Sequence, residues 1–387
     1  MSELFNPSRR KFIGTAGVVG FSVLARGAGG QQHASLAPPD RQPPNLAVPT
    51  RPEQTVGWAV VGLGELALAE VMPAFAECRL SRPTALVSGH PDKAKQVAKV
   101  YGIDPKNIYN YDQYDRLKDN PAVQAIYIIL PNSMHAEYTI RGVEAGKHVL
   151  CEKPMAATVA ESEKMIAAAR EAQRKLMIAY RLRYEPFNMQ AMELCRSGDF
   201  GPIQTISATH GQNVAAPNIR LSKELAGGPL GDVGVYCLNA ARYLTGEEPI
   251  EVTAMSYQPK DDPRFREVPA SVAWTMRFPS GALANCDCSF NIGESRRYRV
   301  HCKDGYIDMD PAFSYTGLEL RTSRESKITK WQLTPVNHFA AEMDHFSECI
   351  LANAEPTTPG EEGLADMRVM AAIEAAAASG RKVAVKV

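Results

Sequence analysis

Three short stretches of the sequence carry residue types that could bind a phosphate group or move a proton. The first, 62–67, reads G-x-G-x-x-A, a spacing that lets a chain turn tightly beside a phosphate. The second contains Lys153, and the third contains Asp232 and Tyr236, four residues apart after a glycine-rich segment. Lysine and tyrosine can exchange protons with a substrate hydroxyl group, and a carboxylate can orient that group. The three stretches therefore predict phosphate binding and proton transfer.

The glycine-containing turn stands where a nucleotide-binding fold would place it. It follows the apolar run 56–61, which predicts a strand, and it opens the segment 66–75, which predicts a helix. Glycines at this point allow the backbone to approach a pyrophosphate at the positive end of the helix. We therefore expect six consecutive residues to bind the cofactor: Gly62, Leu63, Gly64, Glu65, Leu66 and Ala67.

The end of the second predicted strand indicates which dinucleotide binds. A protein that binds NAD usually has Asp or Glu at this point, where it binds the ribose 2′-hydroxyl. Here the sequence has Ser88, with Lys93 close behind. A hydroxyl and a cation suit the 2′-phosphate of NADP, which a carboxylate would repel. This favours NADP over NAD, and the alternative is a solvated turn in which Asp92 starts the next helix.

Strands and helices alternate up to residue 180, and this pattern predicts the fold class. Strands are predicted at 56–61, 84–88, 108–111, 125–130, 148–151 and 176–179, with helices between them. Such alternation indicates an α/β fold, in which 56–180 form a Rossmann domain with a doubly wound parallel sheet. From 181 to 387, successive strands predict an α+β domain with a large, mostly antiparallel sheet for substrate binding. A bare face of that sheet would form the interface of a homo-oligomer.

Further candidates follow predicted parallel strands, at the edge where open α/β sheets bind ligands. Leu130 ends the fourth strand, Asn132 and His135 follow it, and the fifth strand runs into Glu152 and Lys153. A lysine near a cationic nicotinamide could polarise a substrate oxygen and favour deprotonation of a neighbouring acid. The alternatives are a solvated surface charge for Lys153 and a helix-start residue for His135.

The third stretch also has two interpretations. On a helix, Asp232 and Tyr236 would share a face, so that the carboxylate could orient a hydroxyl group whose proton the tyrosine takes. The alternative is an Asp232 that caps the helix and a Tyr236 that lies in the core.

The first 55 residues are predicted to lie outside the fold. Arg9 and Arg10 precede a weakly apolar stretch, 12–25, that is shorter than the ~20 residues needed to span a bilayer. This arrangement resembles a Tat signal, so we expect 1–34 to be a signal peptide for export to the periplasm, without a stable membrane anchor. The alternative is a disordered basic N-terminus. Residues 35–55 contain six prolines and form either a linker or an arm on another surface.

Composition excludes several classes of protein. The 387 residues include 43 basic and 43 acidic side chains, so no basic field exists to attract nucleic acid. Eight cysteines are scattered without a C-x-x-C spacing, mostly inside apolar runs. They predict buried thiols instead of a disulfide framework, and no metal site is expected.

Several stretches resemble the Gfo/Idh/MocA oxidoreductase family, and together they extend over nearly the whole chain. The matching segments are 128–133, 151–155, 176–181, 224–228, 246–252 and 359–363. Within the family the sequence is similar to the glucose–fructose oxidoreductase type, because Tyr236 stands where many members have histidine. The resemblance implies a homo-oligomeric, periplasmic enzyme with tightly bound NADP.

The resemblance also implies roles for individual residues. Lys153 and Tyr236 would be the catalytic pair, Asp232 would act beside them by binding substrate hydroxyls, and Arg220 would belong to the substrate site. Pro154 would follow a cis peptide bond.

On the cofactor side, the resemblance implies that Ser88 and Lys93 hold the 2′-phosphate. Tyr180 and Arg181 would line the nicotinamide side. The proline-rich arm would wrap a neighbouring subunit and cover the adenosine.

The implied reaction moves hydride from C1 of a cyclic aldose to NADP and gives a lactone. The same bound cofactor then reduces a second sugar carbonyl to an alditol, in a ping-pong cycle. One alternative is an NADP-dependent aldose dehydrogenase that exchanges its cofactor. The other is a non-enzymatic sensor of nucleotide or sugar, against which the presence of both Lys153 and Tyr236 counts.

Overall fold

The computed structural model of the chain describes residues 55–386, and the predicted signal peptide and nearly all of the proline-rich arm lie outside them. The first part of the described chain forms a six-stranded sheet with the order β3-β2-β1-β4-β5-β6, in which all neighbouring strands are parallel. The strands are β1 Val56–Val61, β2 Ser81–Val87, β3 Ile108–Tyr109, β4 Ala125–Ile128, β5 His148–Glu152 and β6 Leu176–Ala179.

Helices connect these strands and cover the sheet. A π-helical turn, Ala67–Val71, leads into a single turn of α-helix after β1, and longer helices follow β2, β4 and β5. The helices are α1 Met72–Ala74, α2 Pro91–Tyr101, α3 His135–Glu144 and α4 Val159–Glu171. Every residue of β1 and β4 is buried, as expected for parallel strands with helices on both faces.

The second part forms a nine-stranded sheet with the order β14-β13-β12-β11-β7-β10-β9-β8-β15. Its strands are antiparallel except for the pair β7 and β10. The strands are β7 Ile203–Asn213, β8 Glu251–Tyr257, β9 Ser271–Arg277, β10 Leu283–Ser289, β11 Asn291–Cys302, β12 Gly305–Met309, β13 Leu320–Arg324, β14 Lys327–Lys330 and β15 Val383–Ala384.

Four helices belong to the second part of the chain: α5 Pro186–Ser197, α6 Val235–Thr245, α7 His338–Ala352 and α8 Gly360–Ser379. Helices α6 and α8 pack on one face, where Val272, Trp274 and Met276 of β9 are buried. The alternate positions Ala273 and Arg277 are exposed, which is the pattern of a sheet covered on one side.

Helix α7 turns back and packs on the first sheet. The indole nitrogen of Trp58 donates to the Ser347 hydroxyl at 3.1 Å. The Asp344 carboxylate accepts hydrogen bonds from the backbone N–H groups of Arg79 and Leu80. These contacts fix α7 against the start of β2, at the edge of the sheet opposite its carboxyl ends.

The predicted fold class is confirmed: a parallel Rossmann sheet is followed by a larger, mostly antiparallel sheet. The sequence pattern predicts successive strands after residue 181, but it does not indicate β12, β14 or β15. Strand β14 is exposed along its whole length, so it carries no alternation of buried and exposed residues that would indicate a strand. All eight cysteines are free thiols, and seven of them are buried, as predicted.

Candidate functional site

A cleft of about 670 Å³ opens at the carboxyl ends of the first sheet. Its lining combines residues of the turn after β1, the loops after β4 and β5, and the segment before α6. Of the predicted site residues, these line it: Gly62, Leu63, Gly64, Glu65, Leu66, Ser88, Lys93, Leu130, Asn132, His135, Glu152, Lys153, Arg181, Arg220, Asp232 and Tyr236. The structure therefore brings residues from distant parts of the chain to one cleft.

The turn after β1 has the backbone that a pyrophosphate needs. Gly62 has φ +93°, and a Cβ there would lie 2.2 Å from the carbonyl oxygen of Ile129, so only glycine fits. A Cβ on Gly64 would meet nothing within 4 Å, which leaves open space beside the turn. Ala67 is fully buried beneath it, so this residue packs the helix instead of lining the cleft. The turn fits a bound phosphate group.

The end of β2 presents a hydroxyl and a cation to this turn. Ser88 is buried, and its hydroxyl accepts a hydrogen bond from the N–H of His90 at 3.1 Å. The Lys93 ammonium donates to the carbonyl of Leu63 at 3.2 Å, which places its charge at the phosphate-binding turn. Asp92 is exposed in the first turn of α2 and pairs with Lys95, so its carboxylate is directed away from the cleft.

His135 is fixed between two loops. It is fully buried, with Nδ1 2.8 Å from the carbonyl of Pro154 and Nε2 2.9 Å from the carbonyl of Leu130. Burial lowers the pKa of His135, although both carbonyls act to raise it. Its side chain ties the loop after β4 to the loop after β5, where the Lys153–Pro154 peptide bond is cis, as the resemblance implied. Direct contact of His135 with a cofactor stays a prediction.

Lys153 is held inside the site. Its ammonium donates to the backbone carbonyl of Asp232 at 2.8 Å and lies 3.9 Å from the carboxylate of the same residue. It also lies 4.6 Å from the centre of the Tyr236 ring. Only 12% of the lysine side chain is exposed, so the alternative of a solvated surface lysine is wrong.

Asp232 lies in a π-helical turn, Leu230–Gly234, that precedes α6. Its carboxylate accepts a hydrogen bond from the Arg220 guanidinium at 2.7 Å and does not cap a helix. Burial acts to raise the pKa of Asp232, but the charges of Lys153 and Arg220 outweigh it and lower that pKa below its ordinary value. Asp232 is therefore an ionised carboxylate in the cleft, and the capping alternative is wrong.

Tyr236, in the first turn of α6, is half-buried and lines the cleft, so it is not a core residue. Its ring lies 5.0 Å from that of His210 and 5.7 Å from that of Phe313. Burial, followed by the charge of Lys153, lowers the pKa of His210 to about 3. His210 is therefore neutral, and the cation nearest the Tyr236 ring in the described chain is Lys153.

Arg181 lies against the ring of Tyr236. Its guanidinium donates to the carbonyls of Phe313 at 2.6 Å and Ser314 at 3.2 Å. It lies 5.2 Å from the centre of the Tyr236 ring and 4.6 Å from that of Tyr315. A buried guanidinium between two aromatic rings fixes both of them.

Tyr180, predicted beside Arg181 on the nicotinamide side, is not brought to the cleft. It is buried and lines a small cavity of about 10 Å³ that adjoins the cleft, because Lys153 and Tyr236 line both. Arg181 lines this cavity as well as the cleft, whereas Tyr180 lines the cavity alone.

Several residues that line the cleft were not predicted from the sequence. Among them are His210, Gln212, Arg296, Phe313 and Tyr315. His210 and Gln212 alternate at the end of β7, and two polar residues on one strand face were a usable signal. Phe313 and Tyr315 come from an irregular segment between β12 and β13, and nothing in their spacing points to the cleft.

Two negative findings concern the described residues alone. Between residues 55 and 386, no three His, Cys, Asp or Glu side chains are grouped so that they could hold a metal ion. Within the same range no helix combines the length and the apolar character that crossing a membrane requires.

Comparison with known proteins identifies the family to which the chain belongs. Residues 56–180 match the family described as "Oxidoreductase family, NAD-binding Rossmann fold", and residues 188–308 match its C-terminal domain. An aldose-aldose oxidoreductase from Caulobacter crescentus is 46% identical, with a TM-score of 0.84, over 85% of this chain and 99% of that chain. A D-xylose 1-dehydrogenase [NADP(+)] from Haloarcula marismortui is 30% identical over 84% of this chain and 91% of the relative.

A third relative shares the fold alone. A 3-ketoreductase from Actinomadura kijaniata, solved with NADP, is 24% identical with a TM-score of 0.75, over 83% of this chain and 98% of that chain. The matches confirm the predicted family and the predicted enzyme class: the chain belongs to the Gfo/Idh/MocA oxidoreductases, whose N-terminal part is an NAD-binding Rossmann fold.

Proposed function

We propose that this enzyme is an NADP-dependent sugar oxidoreductase that keeps its cofactor bound while one sugar is oxidised and a second is reduced. The observation that carries the proposal is the convergence of Lys153, Asp232 and Tyr236 in one cleft with the phosphate-binding turn. The Caulobacter relative is named for an aldose–aldose reaction, and the Haloarcula relative for oxidation of D-xylose. Both names support a sugar as the substrate class.

NADP is the cofactor that the residues fit. The end of β2 offers the Ser88 hydroxyl, and the Lys93 ammonium lies against the turn after β1. Asp92, the acidic residue nearest in sequence, is turned to solvent. A 2′-phosphate would meet a donor and a cation there, without a carboxylate to repel it. The name of the Haloarcula dehydrogenase also specifies NADP.

In the mechanism, bound NADP supplies the hydride acceptor and, once reduced, the hydride donor. The Asp232 carboxylate, held by Arg220, binds sugar hydroxyls and sets the orientation of C1. Tyr236 Oη takes the proton of the anomeric hydroxyl group as C1 is oxidised to the lactone. It returns that proton to the carbonyl oxygen of the second sugar, which becomes an alditol. Lys153, 4.6 Å from the ring centre, offers a positive charge to the negative charge that develops on the tyrosine oxygen during the transfer.

A second candidate is an NADP-dependent aldose dehydrogenase that releases its cofactor after each turnover. The Haloarcula relative is named as a D-xylose 1-dehydrogenase that uses NADP. The same residues would perform its oxidative half-reaction. The two candidates differ in cofactor retention. A non-enzymatic sensor is less well supported, because binding alone would not require a lysine and a tyrosine in contact.

Three further proposals concern regions and assembly. We propose that 1–34 direct export to the periplasm, and that the arm 35–55 covers the nucleotide of a neighbouring subunit. We also propose a homo-oligomer formed through the uncovered face of the second sheet. That face exposes 78% of Met255 and 63% of Tyr257 on β8, and large exposed apolar side chains on a sheet are typical of interfaces.

The test begins with the purified mature protein. It is denatured, the released nucleotide is identified, and a panel of sugar pairs is tested with and without added NADP. The proposal predicts about one NADP per chain and turnover of a sugar pair without added nucleotide. Turnover only with added NADP would favour the exchanging dehydrogenase, and binding without turnover of any pair would favour the sensor.

A further inference from the structure

Two polar side chains of the second sheet lie side by side in the cleft, and the proposed mechanism uses neither of them. His210 on β7 and Arg296 on β11 are direct partners in the antiparallel ladder, and both line the cleft. Side chains of such a pair project from the same face of a sheet, with their Cβ atoms roughly 4.5–5.5 Å apart. The pair therefore presents an imidazole and a guanidinium to one part of the cleft.

The imidazole of His210 is buried and has no hydrogen bond within the described chain. Only 5% of the residue is exposed, neither ring nitrogen forms a hydrogen bond among residues 55–386, and Nδ1 is also cut off from solvent. Its contacts are aromatic: the ring stacks on Phe313 with ring centres 5.2 Å apart and meets Tyr236 edge-on. A neutral imidazole has one donor and one acceptor nitrogen, and a buried polar group without a partner is costly. A hydroxyl group of a bound ligand can supply the missing partner.

The guanidinium of Arg296 has a carboxylate partner and further N–H groups that are not used. Its side-chain hydrogen bond among residues 55–386 runs from Nη2 to the Glu294 carboxylate at 3.2 Å, and its Nε atom is buried without a partner. A guanidinium has five N–H groups and cannot accept a hydrogen bond. Since Glu294 already supplies an anion, the remaining N–H groups are left for a neutral acceptor.

The pair lies beside the two residues that the proposed mechanism assigns to the sugar. Gln212, two residues beyond His210 on the same face of β7, has its amide nitrogen 3.5 Å from Oδ2 of Asp232. The centre of the His210 ring lies 5.0 Å from that of Tyr236, the proposed proton acceptor. A sugar bound by Asp232 and Tyr236 therefore lies against this face of the second sheet.

We propose that His210 and Arg296 are specificity-determining residues that together recognise one hydroxyl group of the sugar other than the anomeric one. This hydroxyl donates its hydrogen to an imidazole nitrogen of His210, and its oxygen accepts an N–H of Arg296. A hydroxyl group satisfies both partners at once because it donates and accepts, whereas a methylene group satisfies neither. The inference rests on the proposed function and deepens it, because it names the groups by which the enzyme selects its aldose.

Three variants separate recognition of the sugar from packing of the site. In His210→Phe the aromatic ring that packs on Phe313 is kept, but both nitrogens are lost. In Arg296→Met the apolar stem is kept, but every N–H donor is lost. His301→Phe is the matched control, because His301 is exposed on the other face of β11. All three proteins should keep the melting temperature and the nucleotide content per chain of the wild type.

Deoxy sugars identify the recognised hydroxyl group. The parent substrate is whichever of D-glucose, D-galactose and D-xylose the wild type turns over fastest, and kcat/KM is measured for it and for its 2-, 3- and 4-deoxy derivatives. In the wild type, loss of the recognised hydroxyl should lower kcat/KM by ~10–100-fold, because two groups lose their partner. In His210→Phe and in Arg296→Met, that same derivative should react almost as well as the parent, because the contact is already broken. His301→Phe should keep the wild-type ratio.

Two results would overturn the proposal. In the first, every deoxy derivative keeps its wild-type ratio to the parent in His210→Phe and in Arg296→Met. In the second, the two variants lose the dependence at different positions of the sugar, so that no single hydroxyl is shared. If His210→Phe does not fold, the ratios measured for Arg296→Met alone decide. A wild-type protein that turns over none of the three aldoses would contradict the proposed function instead.

Discussion

The Lys153 ammonium lies 4.6 Å from the centre of the Tyr236 ring, and it is held there by a hydrogen bond to the backbone carbonyl of Asp232. A cation over an aromatic ring is attracted by ~0.5–2 kcal/mol, and the attraction grows as the hydroxyl loses its proton. The lysine is thus fixed by the backbone of one proposed catalytic residue against the ring of the other. Three residues from two distant segments are thereby held together.

Replacement of Tyr236 by Phe should lower turnover by ~10²–10⁴-fold, because the group that takes and returns the sugar proton is lost. Bound NADP should be retained, since the phosphate-binding turn is untouched. Steady-state kinetics and the nucleotide content per chain are the measurements. Tyr257→Phe is the matched control, because Tyr257 is exposed on β8. Turnover close to the wild type in Tyr236→Phe would show that another group transfers the proton.

Lys153→Met should lower turnover by a comparable factor, because the cation beside the ring is removed. If the two residues work as a unit, the double variant with Tyr236→Phe should be little slower than the slower single variant. The measurement is a double-mutant cycle on kcat at saturating sugar. Multiplication of the two single effects would indicate that Lys153 and Tyr236 act independently.

Arg220→Gln should make sugar binding more sensitive to acid. The charges of Lys153 and Arg220 outweigh burial and hold the pKa of Asp232 below its ordinary value. The stabilisation linked to this carboxylate is present above its unfolded-state pKa and is lost as the pH falls through the folded-state value. Removal of one cation raises the folded-state pKa, so the loss should begin at higher pH.

The measurement for Arg220→Gln is the sugar KM, with the melting temperature, along a series of decreasing pH. Arg299→Gln is the control, because Arg299 pairs with Asp308 on the second sheet away from Asp232. Parallel pH curves for the wild type and Arg220→Gln would show that Arg220 does not support the charge of Asp232.

Ser88→Asp should weaken NADP binding relative to NAD by ~10-fold or more, because a carboxylate would face the 2′-phosphate. Ser88→Ala removes the hydroxyl without adding charge and should have a smaller effect. Titration of nucleotide-free protein with both dinucleotides measures the ratio. An unchanged ratio in Ser88→Asp would place the 2′-phosphate elsewhere.

The site residues that could be predicted from the sequence are those that any parallel sheet brings together. Gly62 and Lys153 directly follow parallel strands and Glu152 ends one, and the carboxyl ends of such strands lie at one edge of a sheet. That rule needs only the identification of the strands. It does not extend to Tyr180 and Arg181, because which of two consecutive residues faces the cleft depends on where β6 ends.

Other features depend on contacts between segments far apart in the chain. Arg181 donates to the carbonyl of Phe313, 132 residues away, and no local pattern connects the two. Asp232 and Tyr236 were predicted on one helical face, but a π-helical turn separates Asp232 from the start of α6.

The central claim, that one bound cofactor passes hydride from one sugar to another, has a direct isotopic test. The purified protein is incubated, without added nucleotide, with an aldose deuterated at C1 and an unlabelled acceptor sugar. The account predicts deuterium at the reduced carbon of the alditol. In a parallel incubation with added unlabelled NADPH, the deuterium content of the alditol should be the same. Alditol formed only after NADP is added, or without deuterium, would contradict the account.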